Sequence, residues 1–182
     1  MLVIEIPEQE LFDRETREFY LVKAQKLRLE HSLISASLWE SKWKRCFLEQ
    51  PPKELDEIIS YIECMLIDKN VDPKAINAMT QADVQKVMNY ISDSMTATTI
   101  NPKKDGKSRG KREIMTTEVI YAYMAGYSIP FTCEKWHLNR LIMLIQVCSE
   151  LNKTPEKMSK NDIYKQNRSL NAAIRAKLHS KG

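Results

Sequence analysis

The chain has 182 residues, 43% of them hydrophobic and 29% charged, enough for one ordinary domain with a core or one domain plus an appendage. That balance excludes disordered and fibrous classes, and no apolar run of about 18 residues exists to span a bilayer as a helix. The formal net charge of +4 conceals a division: residues 103–112 carry +5 and residues 153–182 carry +6, leaving −7 on the rest.

The segment Met1–Pro7 has no basic lead and Glu5 interrupts its apolar run, so it is expected not to be a signal peptide. Leu2, Ile4 and Ile6 alternate with Val3 and Glu5, and Leu27, Leu29, His31 and Leu33 alternate with Arg28, Glu30 and Ser32. Such period-two patterning predicts strands, with Phe19–Lys23 as a third and Phe12–Thr16 as a turn. Residues 1–33 are thus expected to form a small antiparallel β-ribbon packed on a body, since so few strands are marginal alone.

Helices follow. Leu38, Trp39, Trp43, Phe47 and Leu48 fit one helical face up to a stop at Pro51–Pro52. Leu55, Ile58, Ile59, Ile62, Met65 and Leu66 give the cleanest amphipathic helix. Thr80 with Asp83 three residues on reads as a capping box, ahead of a stripe of Val84, Val87, Met88 and Ile91. The polar stretch from Thr96 to Arg112, rich in Gly and Lys, is expected to be an exposed loop. Val119, Ile120, Tyr123, Met124 and Tyr127 form the next stripe, closed by Gly126–Pro130. Thr132 is then expected to cap a long central helix running through Trp136, Leu141, Ile145 and Cys148. Residues 157–178 form a last helix with Ile163, Leu170, Ile174 and Leu178 on one stripe and basic or amide residues elsewhere. The expected class is mainly α (α+β): ribbon over 1–33, helical body over 34–152 with a basic loop at 101–113, and a basic C-terminal helical arm over 153–182.

Chemistry-bearing constellations are thin. The four cysteines, Cys46, Cys64, Cys133 and Cys148, are widely spaced with no Cys-x-x-Cys pair, which reads as reduced, mostly buried thiols in a cytosol. Cys133 and His137 stand at i, i+4, a spacing that can serve a metal, but zinc needs at least three protein ligands and no second pair is placed for it. A Cys–His nucleophile needs a thiolate poised beside an oriented base, and none of the cysteines sits in a glycine-flanked turn. Four glycines also argue against a phosphate-cradling loop. No catalytic residue, metal or cofactor is expected.

Lys103, Lys104, Lys107, Arg109, Lys111 and Arg112 are the best candidates for nucleic-acid contact, since they could neutralise phosphates. No aromatic residue interleaves them, so a solvated loop is the favoured reading and nucleic acid the disfavoured partner. Three tryptophans in so small a helical protein leave room for a partner-facing anchor, because aromatics dominate binding hot spots.

Three segments look familiar: His31–Ser35 running into Trp39–Trp43; Met95–Thr99 with Arg112–Glu118 and Ile129–Phe131; and Lys135–Leu141. With the polar tail Asn167–Ala172, they resemble a family encoded by siphophages of Gram-positive hosts, the tail assembly chaperones. The resemblance spans nearly the whole chain, and Trp136-His137-Leu138-Asn139-Arg140-Leu141 is its most specific part. It implies a non-enzymatic protein that binds the tape-measure protein, with the tail-tube protein as a further partner and self-association open, in the host cell cytoplasm during phage assembly. The expected partner-binding residues are Trp39, Trp43, Trp136, His137, Asn139 and Arg140, with Asn139 and Arg140 alternatively tying the central helix to a neighbouring loop. A virion structural protein of tail or head, and a nucleic-acid-binding regulator, are the alternatives.

Overall fold

The computed structural model describes residues 1–13, 17–68, 70–100, 114–152 and 160–178. The chain forms two units, Met1–Ser149 and Glu150–Gly182. The first opens with four strands, β1 (Leu2–Ile6), β2 (Gln9–Asp13), β3 (Glu18–Val22) and β4 (Gln25–Leu29). β1 pairs with β4 and β2 with β3, both antiparallel. Leu2 faces Leu29, Ile6 faces Gln25, Gln9 faces Val22 and Asp13 faces Glu18, so each pair of positions sums to 31. The two ladders are therefore consecutive lengths of one nested ribbon.

Between them lie Pro7–Glu8 on one strand and Lys23–Ala24 on the other. Pro7 has no N–H to give a ladder, and proline in a sheet is confined to edges and irregularities. The facing changes across this gap. Ile4 and Ile6 on β1, and Leu27 and Leu29 on β4, are buried. Strict alternation would next bring positions 8, 10 and 12 inward. Instead Leu11 and Tyr20 pack on the core and Val22 is fully buried. The ribbon has rolled over, and the opposite pleat meets the body.

The sequence-predicted ribbon is corrected in two places. β2 occupies residues assigned in part to a turn, and the ribbon ends at Leu29, because Glu30 N–H leaves the ladder to donate to Met65 O (2.9 Å). His31 is a connection residue, and Leu33 already begins a helix.

That helix, α1 (Leu33–Trp43), starts at a reciprocal cap in which Ser32 Oγ accepts Ser35 N–H and Ser35 Oγ accepts Ser32 N–H. It stops short of the expected end: Lys44 is left-handed, with φ of 54°. Phe47 still reaches the core from an irregular loop, while Leu38 and Leu48 are exposed. α2 (Leu55–Met65) follows the double proline, and Glu57 Oε2 reaches back to accept Lys53 N–H (2.9 Å). A 3-10 segment over Pro73–Ala78 supports the outer half of the ribbon: Gln9 Nε2 donates to Ala78 O, and Lys74 Nζ stands 4.4 Å from the Tyr20 ring centre.

α3 (Gln81–Ser92) has the expected Thr80–Asp83 capping box, but Tyr90 joins Val87 in the interior while Met88 is exposed. α4 (Thr117–Gly126) buries Ile120 and Met124 and ends in a left-handed Ser128, with φ of 56°. The expected Thr132 cap is overturned. Residues Phe131–Lys135 form a separate 3-10 turn, and α5 (Leu138–Asn152) begins only after Trp136 and His137. The second unit carries α6 (Lys160–Leu178).

Leu27, Leu29, Leu33, Trp39, Tyr61, Met124, Leu138 and Leu141 are each essentially inaccessible. The core thus lies where the base of the ribbon meets the starts of α1 and α5.

Candidate partner-binding surfaces

The residues singled out in the sequence divide by burial. Trp39 is completely buried; its indole N–H donates to Glu57 O at 3.3 Å and its ring stacks on Trp43, centroids 6.0 Å apart. Arg45 lies 5.2 Å and 5.6 Å from the Trp39 and Trp43 ring centres and donates to Glu57 Oε1 at 2.7 Å. The Lys53 N–H, helped by the Arg45 guanidinium, holds the Glu57 carboxyl below the ordinary carboxylate range. Trp43 is half-buried, with its N–H on Ser60 Oγ at 3.1 Å. The expectation that Trp39 meets a partner is corrected: it is a structural tryptophan tying α1 to α2.

The Trp136–Leu141 run also splits. His137 is 7% exposed, too little to offer a surface, and its Nε2 meets Tyr90 O at 3.0 Å. That contact makes Nε2 a donor, and Nδ1 is buried with no hydrogen-bond partner among the described residues. Asn139 Nδ2 donates to Ile91 O (2.9 Å) and Asp93 O (2.7 Å), satisfying carbonyls that the end of α3 leaves free. It ties α5 to α3. Arg140 has its guanidinium carbon 4.6 Å from the Trp136 ring centre. Trp136, 38% exposed, and Arg140 are the members of the run that face outward.

His31 is 1% exposed and completes a buried polar centre. Its Nδ1 meets Tyr61 OH at 2.5 Å, and its ring meets that of His137 edge-on at 4.9 Å. Burial, then the facing His137 ring, push the His31 imidazole down to about 3. Tyr90 OH donates to Glu30 Oε1 at 2.5 Å, and burial with that carboxylate raises its phenol. The Met1 ammonium meets Tyr90 OH at 2.6 Å and Glu30 Oε2 at 2.8 Å.

The expected metal spacing dissolves, because Cys133 lies in the 3-10 turn and His137 beyond it, not on one α-helical face. Among the described residues no three His, Cys, Asp or Glu side chains converge as a metal site. Among the described residues no helix is long and apolar enough to cross a membrane. Cys133 is buried, and Cys46, Cys64 and Cys148 are half-buried. The candidate nucleic-acid contacts Lys103, Lys104, Lys107, Arg109, Lys111 and Arg112 lie outside the described residues.

The surface that sequence reading missed is the outer pleat of β2–β3. Phe12 faces Phe19 across the ladder, ring centroids 5.0 Å apart, with Leu21 beside them opposite Glu10. These three apolar side chains are 50%, 67% and 56% exposed. Leu11-Phe12 and Phe19-Tyr20-Leu21-Val22 signal it in the sequence, since adjacent apolar residues in a strand put apolar groups on both pleats. In the second unit, Ile163, Leu170, Ile174 and Leu178 form the expected stripe on α6, all exposed. No protein-family model matches the chain, and neither a curated protein nor a solved structure matches it.

Proposed function

We propose that this chain is a phage tail assembly chaperone, a non-enzymatic protein that holds the tape-measure protein soluble in the host cytoplasm until the tail tube polymerises. The observation that carries a protein-binding reading is the outer pleat of β2–β3. Phe12, Phe19 and Leu21 stand in solvent on a ribbon whose other pleat is already packed. Exposed aromatic clusters of this kind mark interaction sites. The choice of a tape-measure partner rests on the resemblance of the Trp136–Leu141 run and the segments around it. A tape-measure protein is long and helical and exposes apolar stripes before the tube surrounds it, so a chaperone has to cover those stripes and then leave. Displacement favours many moderate contacts over one tight interface. A modest apolar ribbon face with a half-exposed Trp136 suits such contacts, and the tail-tube protein is the second expected partner.

Co-expression tests this. The cognate tape-measure protein should stay soluble and co-purify with the wild-type chain. A triple change of Phe12, Phe19 and Leu21 to Ser should abolish both effects while leaving the fold intact. No rescue and no co-purification by wild type overturns the reading. Mass spectrometry of purified particles separates the alternative: the chain in fixed copy number in mature virions makes it a structural component.

A further inference from the structure

His31 occupies the point where the base of the ribbon, α1, α2 and α5 converge. Its backbone oxygen accepts Leu138 N–H at 2.7 Å, joining the start of α5 to the chain entering α1, and Ser32 and His137 pair beside it. Its ring is enclosed by Tyr61, Phe47 and His137, centroids 5.8, 5.7 and 4.9 Å away. The hydroxyls of Ser32 and Ser35 cap α1, and Ser35 Oγ also lies 3.4 Å from the Tyr61 hydroxyl. The one side-chain hydrogen bond of His31 among the described residues is to Tyr61, with no carboxylate of those residues against the ring, so burial disfavours the charged imidazole. Other titratable groups stand one layer away. Cys64 lies beyond Tyr61 on α2, Glu40 is bonded to Phe47 N–H, and Tyr90 meets His137. Glu30 and the Met1 ammonium offset one another behind Tyr90.

We infer that His31 is an acid-sensitive latch whose protonation parts the α1–α5 junction ahead of the rest of the fold. An incoming proton places a cation inside a buried enclosure of aromatic rings, 4.9 Å from a second imidazole. Separating the two chain segments joined through His31 O and Leu138 N would bring that cation to solvent. The direction follows from linkage. The ring is held near 3 in the closed state against an ordinary value near 6.5, so the open state binds the extra proton between those limits. Closure is fully favoured above 6.5 and weakens as pH falls towards 3, by about tenfold in the closed-to-open ratio per unit. The latch stands apart from the ribbon face and does not depend on the identity of the partner.

Amide hydrogen exchange of the full chain at pH 7, 6 and 5, corrected for intrinsic rates, tests it. Leu138 protection should fall about tenfold between pH 6 and 5. Tyr127, whose N–H donates to Tyr123 O (2.9 Å) at the far end of α4, should hold its protection. In His31→Gln, whose amide oxygen can still accept from Tyr61, the pH dependence at Leu138 should vanish. Uniform loss at both amides, or a pH-independent Leu138 in wild type, overturns the latch. If His31→Gln does not fold, NMR titration of the wild-type ring decides: a neutral His31 at pH 5 supports the proposal, and titration near 6.5 in the folded chain ends it.

Discussion

The two halves of the ribbon share one register and differ in what they do with their faces. In the β1–β4 half one pleat is core and the other is Val3 with the exposed Glu5–Lys26 pair and the Arg28–Asp68 pair. In the β2–β3 half one pleat rests on the 3-10 segment and the other is Phe12, Phe19 and Leu21. Pairing register and facing are therefore set separately. One unbroken register runs through both ladders, and the Pro7 gap sets the facing by rolling the ribbon over. The charged outer pleat near the base suits solvent, whereas the aromatic outer pleat near the tip suits contact with another molecule.

Substitutions along the ribbon sharpen this contrast. Leu27→Ala, on the buried base pleat, should cost about 2–5 kcal/mol by chemical denaturation, since it leaves a cavity beside Leu29 and Leu33. Tyr20→Ala, on the covered tip pleat, should cost less, about 1–2 kcal/mol, from lost packing and the lost Lys74 contact. Phe19→Ser should change stability by no more than about 0.5 kcal/mol while weakening partner capture in the co-expression assay. A Phe19→Ser loss as large as that of Leu27→Ala would break the comparison, showing that the outer pleat supports the fold itself.

Much of this was readable from residue patterns, and the failures have identifiable causes. The β1 and β4 strands were legible because each buries a single pleat, which leaves a clean period, whereas the α2 face was legible only in part: Ile62 and Met65 are buried as expected, but Leu55 is exposed and Glu57, Ser60 and Tyr61 turn inward. The Thr80–Asp83 box was legible because capping is local in sequence. β2 was hidden because Leu11 and Phe12 are apolar on both pleats, erasing the alternation that identifies a strand. The early end of α1 at Lys44 was hidden because it depends on contacts outside the helical spacing: Glu40 accepts Phe47 N–H seven residues on, and Phe47 packs on Tyr61 of α2 at 4.4 Å. The candidate site shows the same divide. Asn139 could be read as a tie between elements, but nothing local tells that Trp39 is enclosed while Trp136 is not.

Glu40 carries one more consequence. Its Oε2 accepts both Thr117 N–H (2.9 Å) and Thr117 Oγ1–H (2.6 Å), across 77 residues of chain, where Thr116 supplies no side-chain cap of its own. The first turn of α4 is thus completed by α1, and short helices gain little from propensity alone. α4 is a dependent element, unable to hold its own beginning until α1 has docked. In the order of folding it belongs after α1. Glu40→Ala should strand the buried Thr117 and Phe47 N–H groups together and speed unfolding, read by stopped-flow kinetics, both at the start of α4 and in the loop that follows α1.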